Sequence, residues 1–203
     1  MNAGLDHDVS KKREREEEED DEEAKQKELD DAFLNACRKQ SLNDVKRTLN
    51  AGASINAQDV NGHSALICAC LREEYSREGT LEIVKFLLSK RCSPALVNKK
   101  GQNTLHVAAS VCSSEVMKLL LSKEPHLSQV KTIKGETPLG YVCQYRFDDD
   151  AVRIAELLVD TGADIEQACT HWTPLLLACR CGRSDLVVAV AERSKHQSCH
   201  GNR

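Results

Sequence analysis

The chain has 203 residues, of which 40% are apolar but only 3% are aromatic, and its formal net charge is −4. This composition supports a core of small and aliphatic side chains and disfavours sandwiches and barrels, whose strands are rich in aromatic and β-branched residues. Ten cysteines are too few for a disulfide scaffold, and neither a secretory signal nor a membrane-spanning run is visible. We therefore expect a protein of the cytoplasm, the nucleus or both, not secreted, with reduced thiols.

Residues 1–31 form a charged arm that differs from the rest of the chain. The arm carries 14 acidic and 6 basic side chains, whereas the remainder carries 18 acidic and 22 basic ones. Eight consecutive acids at positions 16–23 repel one another and cannot bury apolar surface. We predict that this acidic arm is solvated and either disordered or partly helical. The sharper alternative is that it docks on the basic remainder of the chain or on a basic partner.

Five short related segments follow the arm at nearly regular intervals. They are FLNAC, LICAC, LHVAA, LGYVC and LLLAC, which end at positions 37, 70, 109, 143 and 179. Each is followed by apolar residues at helical spacing, as in EVMKLLLSK after the third segment. A period of 33 to 39 residues is typical of stacked helix-pair repeats.

The repeated unit resembles the ankyrin repeat, in which Gly-x-Thr-Pro-Leu opens a short helix and a second helix ends before Gly-Ala-Asp. The closest matches are GETPL at 135–139, LLVDTGADIEQA at 157–168 and TLHVAA with EVMKLLLSK. This resemblance covers residues 32–194 and implies an all-α solenoid of helix-turn-helix units with short β-hairpin or loop fingers. The predicted repeats are about 32–57, 58–97, 98–130, 131–167 and 168–194, followed by a polar tail at 195–203.

Several repeat positions have a direct structural reason. Thr137 and Thr173 precede a proline and can cap the first helix of a pair, a role that Ser64 and Asn103 can fill elsewhere. His106 occupies the Thr-Pro-Leu-His position of the family. We predict that it is a structural hydrogen-bonding residue within its own repeat.

The turns after the second helices vary. Gly52 and Gly162 suit the left-handed position that ends a helix, but Arg91 and Glu124 stand at the equivalent places. Keeping the left-handed geometry there would cost about 1 kcal/mol, so we predict either that cost or a remodelled turn. Insertions in the second and fourth repeats fall in LREEYSREG and QYRFDDD, where we expect loops.

The cysteines favour packing over metal chemistry. Cys37, Cys70, Cys143 and Cys179 share one small-residue column, where we expect burial between helices. Paired C-x2–4-C spacing is absent, although six side chains near the C-terminus could converge: Cys169, His171, Cys181, His196, Cys199 and His200. No phosphate loop, nucleophile elbow or carboxylate pair indicates catalysis. We predict a protein that is not an enzyme and has no metal or cofactor.

The ankyrin resemblance implies that a partner protein is bound by the fingers and by the exposed ends of the first helices. Four lysines at 99, 100, 131 and 134 should form a basic strip, and the only tryptophan belongs to the class of side chains enriched in interface hot spots. The predicted partner-binding residues are Val60, Asn61, His63, Lys99, Lys100, Gln102, Ile133, Lys134, Glu136, Gln144, Tyr145, Trp172 and Arg180.

The predicted function is therefore that of an adaptor or scaffold. One alternative is a nucleic-acid-associated ankyrin protein, which the modest positive charge disfavours. Another is a regulatory, inhibitory ankyrin protein that uses the same basic strip. The last helix, DLVVAVAERS, has apolar residues on more than one side. We expect part of this helix to stay exposed, which would allow self-association through the C-terminal repeat.

Overall fold

A computed structural model describes the backbone of residues 3–71, 77–166 and 172–198, and the side chains of 18–71, 79–166 and 172–193. Within these ranges the chain forms ten α-helices and one 3-10 helix, Pro125–Gln129. The α-helices are α1 (Ala3–Arg38), α2 (Leu42–Asn50), α3 (Ala65–Cys70), α4 (Arg77–Ser89), α5 (Thr104–Val111), α6 (Ser114–Lys123), α7 (Pro138–Tyr145), α8 (Asp150–Asp160), α9 (Pro174–Arg180) and α10 (Ser184–Ser198).

The helices are stacked in two rows, which confirms the predicted all-α solenoid. The odd-numbered helices pack against one another in chain order from α1 to α9, and the even-numbered helices do the same from α2 to α10. Each pair also packs internally, so a core of aliphatic, Ala and Cys side chains runs along the whole stack. None of the described helices is long and apolar enough to cross a membrane.

The acidic arm is helical and is continuous with the first helix pair, because α1 runs unbroken from Ala3 to Arg38. Side chains 18–28 are exposed. Among the described side chains, those near the end of the arm contact the repeats: Gln26 donates to the carbonyl of Gly52, and Asp30 accepts the Ser54 N–H at 2.7 Å. The described acids before Asp30 are exposed.

The four predicted N-caps are confirmed. In each case the side-chain oxygen accepts a hydrogen bond from the backbone N–H three residues later, at 3.1 to 3.4 Å, for Ser64, Asn103, Thr137 and Thr173. Pro138 and Pro174 occupy the first helical position after the two threonines, where the missing N–H has no intrahelical partner to lose.

His106 is fully buried and links two repeats, so the prediction that it acts within its own repeat was too narrow. Its Nδ1 accepts the backbone N–H of Asn103 at 3.2 Å, and its Nε2 lies 3.1 Å from the carbonyl oxygen of Glu136 in the next repeat. Burial lowers the pKa of His106 to about 4. The ring is therefore neutral at physiological pH, with its hydrogen on Nε2.

The two helix-ending turns in which Arg91 and Glu124 replace the glycine have different backbone conformations. Gly52 and Gly162 have positive φ, as predicted, and Arg91 keeps the same left-handed geometry at φ +63°. Glu124 instead has φ −141° and leads directly into the 3-10 helix. Pro125 begins that helix, and its fixed φ favours helical over left-handed continuation. Arg91 thus keeps the strained left-handed backbone conformation, whereas Glu124 avoids it.

The insertion in the fourth repeat is more than a surface loop, because Arg146 within it is only 3% exposed. Its guanidinium donates to the carbonyls of Ala109 and Cys112 at the end of α5 and to both carboxylate oxygens of Asp148. One side chain thereby satisfies the last carbonyls of the preceding repeat. Arg183 repeats the arrangement one unit later: it pairs with Asp185 and donates to the carbonyl of Arg146.

Burial of the small-residue column was predicted for four cysteines and is confirmed for three. Cys37, Cys70 and Cys143 are 0% exposed, but Cys179 lies at the surface. The preceding three face a following helix pair, whereas no described pair follows α9 and α10. The prediction for Cys179 was wrong because burial in this column depends on the next repeat.

The last repeat is partly open. In α10, Leu186 and Val190 are buried, while Val188 is 54% exposed, and Leu176 in α9 is 48% exposed. The equivalent of Leu176 one repeat earlier is Gly140, which is buried. Ion pairs also attach the last repeat to the stack, because Arg193 of α10 pairs with Glu156 and Asp160 of α8.

We expect α10 to be the least protected of the described helices that follow the acidic arm. Its amide hydrogens at 183–194 should exchange at least about tenfold faster than those at 115–121 in α6, because only one side of this pair is covered. Hydrogen exchange monitored by NMR in dilute monomeric protein measures this difference. Equal protection of the two segments would mean that the exposed face costs the last repeat no stability.

Candidate functional site

Three fingers connect successive helix pairs and share one hairpin geometry: finger one is residues 59–63, finger two 98–102 and finger three 132–136. In each finger the first N–H donates to the fifth carbonyl, at 3.1, 2.9 and 2.9 Å, and the fourth N–H donates to the first carbonyl at 2.8 Å. The first side chain, Asp59, Asn98 or Thr132, accepts a backbone N–H from the end of its own finger. Each finger is thus a closed, rigid loop.

The fingers are also bonded to one another. Lys99 N–H donates to the carbonyl of Asn61 at 2.9 Å, and Ile133 N–H donates to the carbonyl of Lys100 at 3.0 Å. Gly101 lies at the closest approach, with φ +74°, and a Cβ added there would be 2.8 Å from the nitrogen of Ile133. Glycine is therefore required both by the backbone conformation and by the neighbouring finger. The three fingers form one continuous edge.

A groove of about 520 Å3 lies between fingers two and three and the ends of α5 and α7. We call it the finger groove. It is lined by Lys99, Lys100 and Gln102 of finger two, Thr132, Ile133, Lys134 and Glu136 of finger three, and Ser110, Tyr141 and Tyr145 of the first helices. Three ammonium groups and two phenol rings thus surround one concave surface.

The floor of the finger groove is held in place by the aromatic side chains. Tyr141 packs edge-on against His106 and Tyr145, with ring centroids 5.4 and 5.2 Å away. Its hydroxyl accepts from Gln102 Nε2 at 2.6 Å and donates to Glu136 at 3.3 Å. Burial first, and the Glu136 charge in addition, raise the pKa of Tyr141 to about 12 despite the Gln102 hydrogen bond. This phenol stays protonated and acts as a structural donor.

The three groove lysines are free for a ligand. Lys99, Lys100 and Lys134 are exposed, and none forms an ion pair with a described carboxylate. Lys131, predicted to belong to the same basic strip, is exposed but does not line the finger groove. The predicted strip is thus concentrated on fingers two and three.

Large apolar side chains stand at the finger tips and helix ends. Val60 is 72% exposed, Ile133 77% and Tyr145 47%. Trp172 is 40% exposed, and the guanidinium of Arg180 lies over its ring, 5.4 Å from the centroid. Asn61 is also exposed, and Gln144 is half-buried. These side chains are accessible from solvent, and their use in binding stays a prediction.

Three predicted contact residues are instead occupied within the protein. His63 Nδ1 lies 3.0 Å from Asp59, a carboxylate that also pairs with Arg38. Burial alone would raise the pKa of Asp59, but hydrogen bonds from the His63 and Asn61 N–H groups and from the His63 ring lower it overall. Gln102 and Glu136 are held by Tyr141, as described above. The contacts of these three side chains fix the fingers and the groove floor.

Sequence reasoning missed the residues that make the fingers rigid. A signal was present, because Asp59, Asn98 and Thr132 all stand three residues before a finger glycine, and such side chains favour local turns by accepting nearby N–H groups. Tyr141 was missed for another reason. It follows Pro138 at a helical position that reads as core, and its half-buried place in the groove depends on two neighbouring fingers.

The described residues offer little for covalent or metal chemistry. Burial raises the pKa of Cys68 to about 12 and of Cys92 to about 11, so these thiols are protonated and poor nucleophiles. Among the described side chains no cluster of His, Cys, Asp or Glu could hold a metal ion. The side chains of five members of the C-terminal Cys/His set, all except Cys181, lie outside the described side chains.

Comparison with known proteins agrees with the fold. A family model described as "Ankyrin repeats (3 copies)" matches residues 33–131 and again 73–167. Ankyrin repeat domain-containing protein 53 of Mus musculus is 29% identical over 101 residues, which are 49% of this chain and 20% of that protein. An ankyrin repeat protein of Acanthamoeba polyphaga mimivirus is 36% identical over 75 residues, 36% of this chain and 17% of that protein.

One similar protein carries an enzyme name, intracellular phospholipase A2 of Caenorhabditis elegans, with 36% identity over 84 residues. The match covers 41% of this chain but only 8% of that protein. The chain therefore spans between 8% and 20% of the length of these three curated relatives. The family matches extend over residues 33–167, and the stacked helix pairs, the Thr-Pro caps and the hairpin fingers all agree with them, so this chain belongs to the ankyrin-repeat family.

Proposed function

We propose that this chain is a non-enzymatic adaptor or scaffold that binds a partner protein on its finger face, meaning the exposed finger tips and the neighbouring ends of α7 and α9. Repeat stacks present extended surfaces that suit protein recognition. The observation that carries the proposal is the finger groove, where three lysines without described carboxylate partners adjoin exposed apolar side chains. Trp, Tyr and Arg are the side chains most enriched at binding hot spots, and Tyr145, Trp172 and Arg180 are exposed on this face.

Reversing two groove charges and truncating the exposed tryptophan should weaken partner binding. We expect Lys99→Glu, Lys134→Glu, Trp172→Ala protein to recover on the order of tenfold less partner than the native chain in affinity capture with mass spectrometry. The charge reversals should act mainly through slower association, and more strongly at low salt.

A matched control is available on the opposite face. Lys118 and Lys123 are exposed on α6, away from the fingers, so Lys118→Glu, Lys123→Glu changes the net charge by the same amount. Circular dichroism and thermal unfolding must show that both variants are folded. Equal partner recovery by the native chain and the folded finger variant would exclude the finger face as the main binding surface.

The second candidate is a nucleic-acid-associated or inhibitory ankyrin protein that uses the same lysines. Three groove lysines are few compared with the extended basic surfaces that track phosphates, so we rank nucleic acid below a protein ligand. An electrophoretic shift with duplex DNA and single-stranded RNA at several salt concentrations separates these two ligand classes.

We also propose a location and an assembly that further experiments can test. Cys37, Cys68, Cys92, Cys179 and Cys181 carry free thiols, which would suit the reducing cytoplasm or nucleus. Self-association through the C-terminal repeat is proposed from exposed Leu176 and Val188. Sedimentation of native and Leu176→Ser, Val188→Ser protein over a concentration series tests this, and concentration-independent monomer for both would exclude it.

A further inference from the structure

We infer that the finger groove binds an extended acidic peptide segment that carries one large apolar side chain. This inference rests on the proposed function and specifies the chemical class of the partner segment. It depends on three independent properties of the groove: its fixed shape, its unbalanced charge and its exposed apolar wall.

The shape of the groove is fixed before any ligand binds. Fingers two and three are joined by the hydrogen bond from Ile133 N–H to the carbonyl of Lys100. The floor is fixed by Tyr141, which is bonded to Gln102 on one finger and to Glu136 on the other. A preformed site costs little ordering entropy when a ligand arrives. At about 520 Å3 the groove has the size of a binding site for a few ligand groups rather than for a whole folded domain.

The positive charge of the groove favours a negatively charged ligand. Lys99, Lys100 and Lys134 contribute three positive charges, and Glu136 is the only acid among the lining residues. Its Oε2 already accepts the hydroxyl hydrogens of Thr132 and Tyr141. A ligand carboxylate would therefore meet three ammonium groups and one carboxylate whose Oε2 already accepts hydrogen bonds, whereas the three ammonium groups would repel a ligand cation.

The described acids of this chain's own arm do not fill this role. The acids at 18–23 are exposed on α1, and the described contacts of the arm to the repeats are with the turn around Gly52 and Ser54. The groove lysines are thus open to an acidic segment from another protein.

The apolar wall calls for one large side chain in the ligand. Ile133 is 77% exposed and Tyr145 47% exposed on either side of the groove. Covering such surface stabilises a complex because apolar area is removed from water, while a purely acidic segment would leave this surface exposed to water. An aromatic or long aliphatic side chain between acidic residues satisfies both the lysines and this wall.

Fluorescence anisotropy with four labelled decapeptides tests the inference on the full-length chain. Two peptides are acidic, with and without a central Phe, and two carry a central Phe in a neutral or a basic sequence. We expect the acidic Phe peptide to bind at least about tenfold more tightly than each of the others. A single-stranded RNA of similar length is the fifth probe.

Variants locate the binding site. Lys99→Glu, Lys134→Glu and, separately, Ile133→Ser should weaken binding of the acidic Phe peptide by on the order of tenfold. Lys118→Glu, Lys123→Glu on α6 is the matched control and should leave affinity unchanged, because both lysines lie outside the groove.

The outcomes separate this inference from the proposed function. Tighter binding of the neutral or basic peptide, or of the RNA, overturns the acidic class. Binding that Ile133→Ser leaves unchanged overturns the apolar contact. If no acidic peptide binds while capture of intact partner still depends on Lys99 and Lys134, the inference fails and the proposed function stands. If the lysine variant binds both the peptide and the intact partner as well as the native chain does, the inference and the proposed function are both contradicted.

Discussion

Truncation of Leu139 to alanine is expected to lower the free energy of unfolding by about 2–5 kcal/mol, whereas Cys143→Ala should change it by less than about 1.5 kcal/mol. Both side chains are 0% exposed in α7. The difference lies in volume: Leu139 fills the space between neighbouring pairs, and its loss opens a cavity. Cys143 is already small, so alanine removes little more than the sulfur. Urea unfolding monitored by circular dichroism measures both values.

Equal and large losses for the two variants would contradict this account. They would indicate that Cys143 is a ligand or a disulfide partner instead of a packing residue. Leu105→Ala in α5 is a useful companion variant, because Leu105 is also 0% exposed at the equivalent position of the preceding repeat. A similar loss at Leu105 and Leu139 is expected if each repeat contributes an equivalent interface.

Replacing Arg146 by alanine is expected to lower the free energy of unfolding by about 3 kcal/mol. This loss is larger than the one expected from removing an exposed charged side chain. Its side chain is 3% exposed and bonds two carbonyls of the preceding repeat as well as Asp148. Removal leaves those buried carbonyls without this donor. Arg146→Lys should recover only part of the stability, because an ammonium group cannot form the planar, two-pronged contact with Asp148.

Arg183 provides the matched control for Arg146. Like Arg146, Arg183 forms an ion pair with the aspartate two residues later, in this case Asp185. Arg183 lies in the last repeat, and Asp185 is half exposed. We expect Arg183→Ala to cost about 1 kcal/mol. Thermal and urea unfolding of both variants gives the comparison. A larger loss for Arg183 than for Arg146 would show that the value of this contact does not depend on burial in the stack.

Much of this fold could be predicted from the sequence, because its determinants are local. A capping side chain acts on the N–H three residues later, and helical spacing acts over four residues. The positions of Thr137, Thr173 and Gly162 therefore specified helix starts and ends without any knowledge of neighbouring repeats. The repetition of these local signals was sufficient to indicate the stack and the family.

Tertiary structure decided the properties that depend on neighbouring repeats. Cys179 has the same local sequence context as Cys143, yet it is exposed because no described helix pair covers it. Arg146 reads as part of a charged loop, but the carbonyls at the end of α5 bury it. The finger groove likewise brings together side chains from two fingers and two helices. Contacts between residues in different repeats do not produce a regular pattern in the sequence. The sequence by itself therefore determined the repeats. Packing between the repeats decided which side chains remain available for binding.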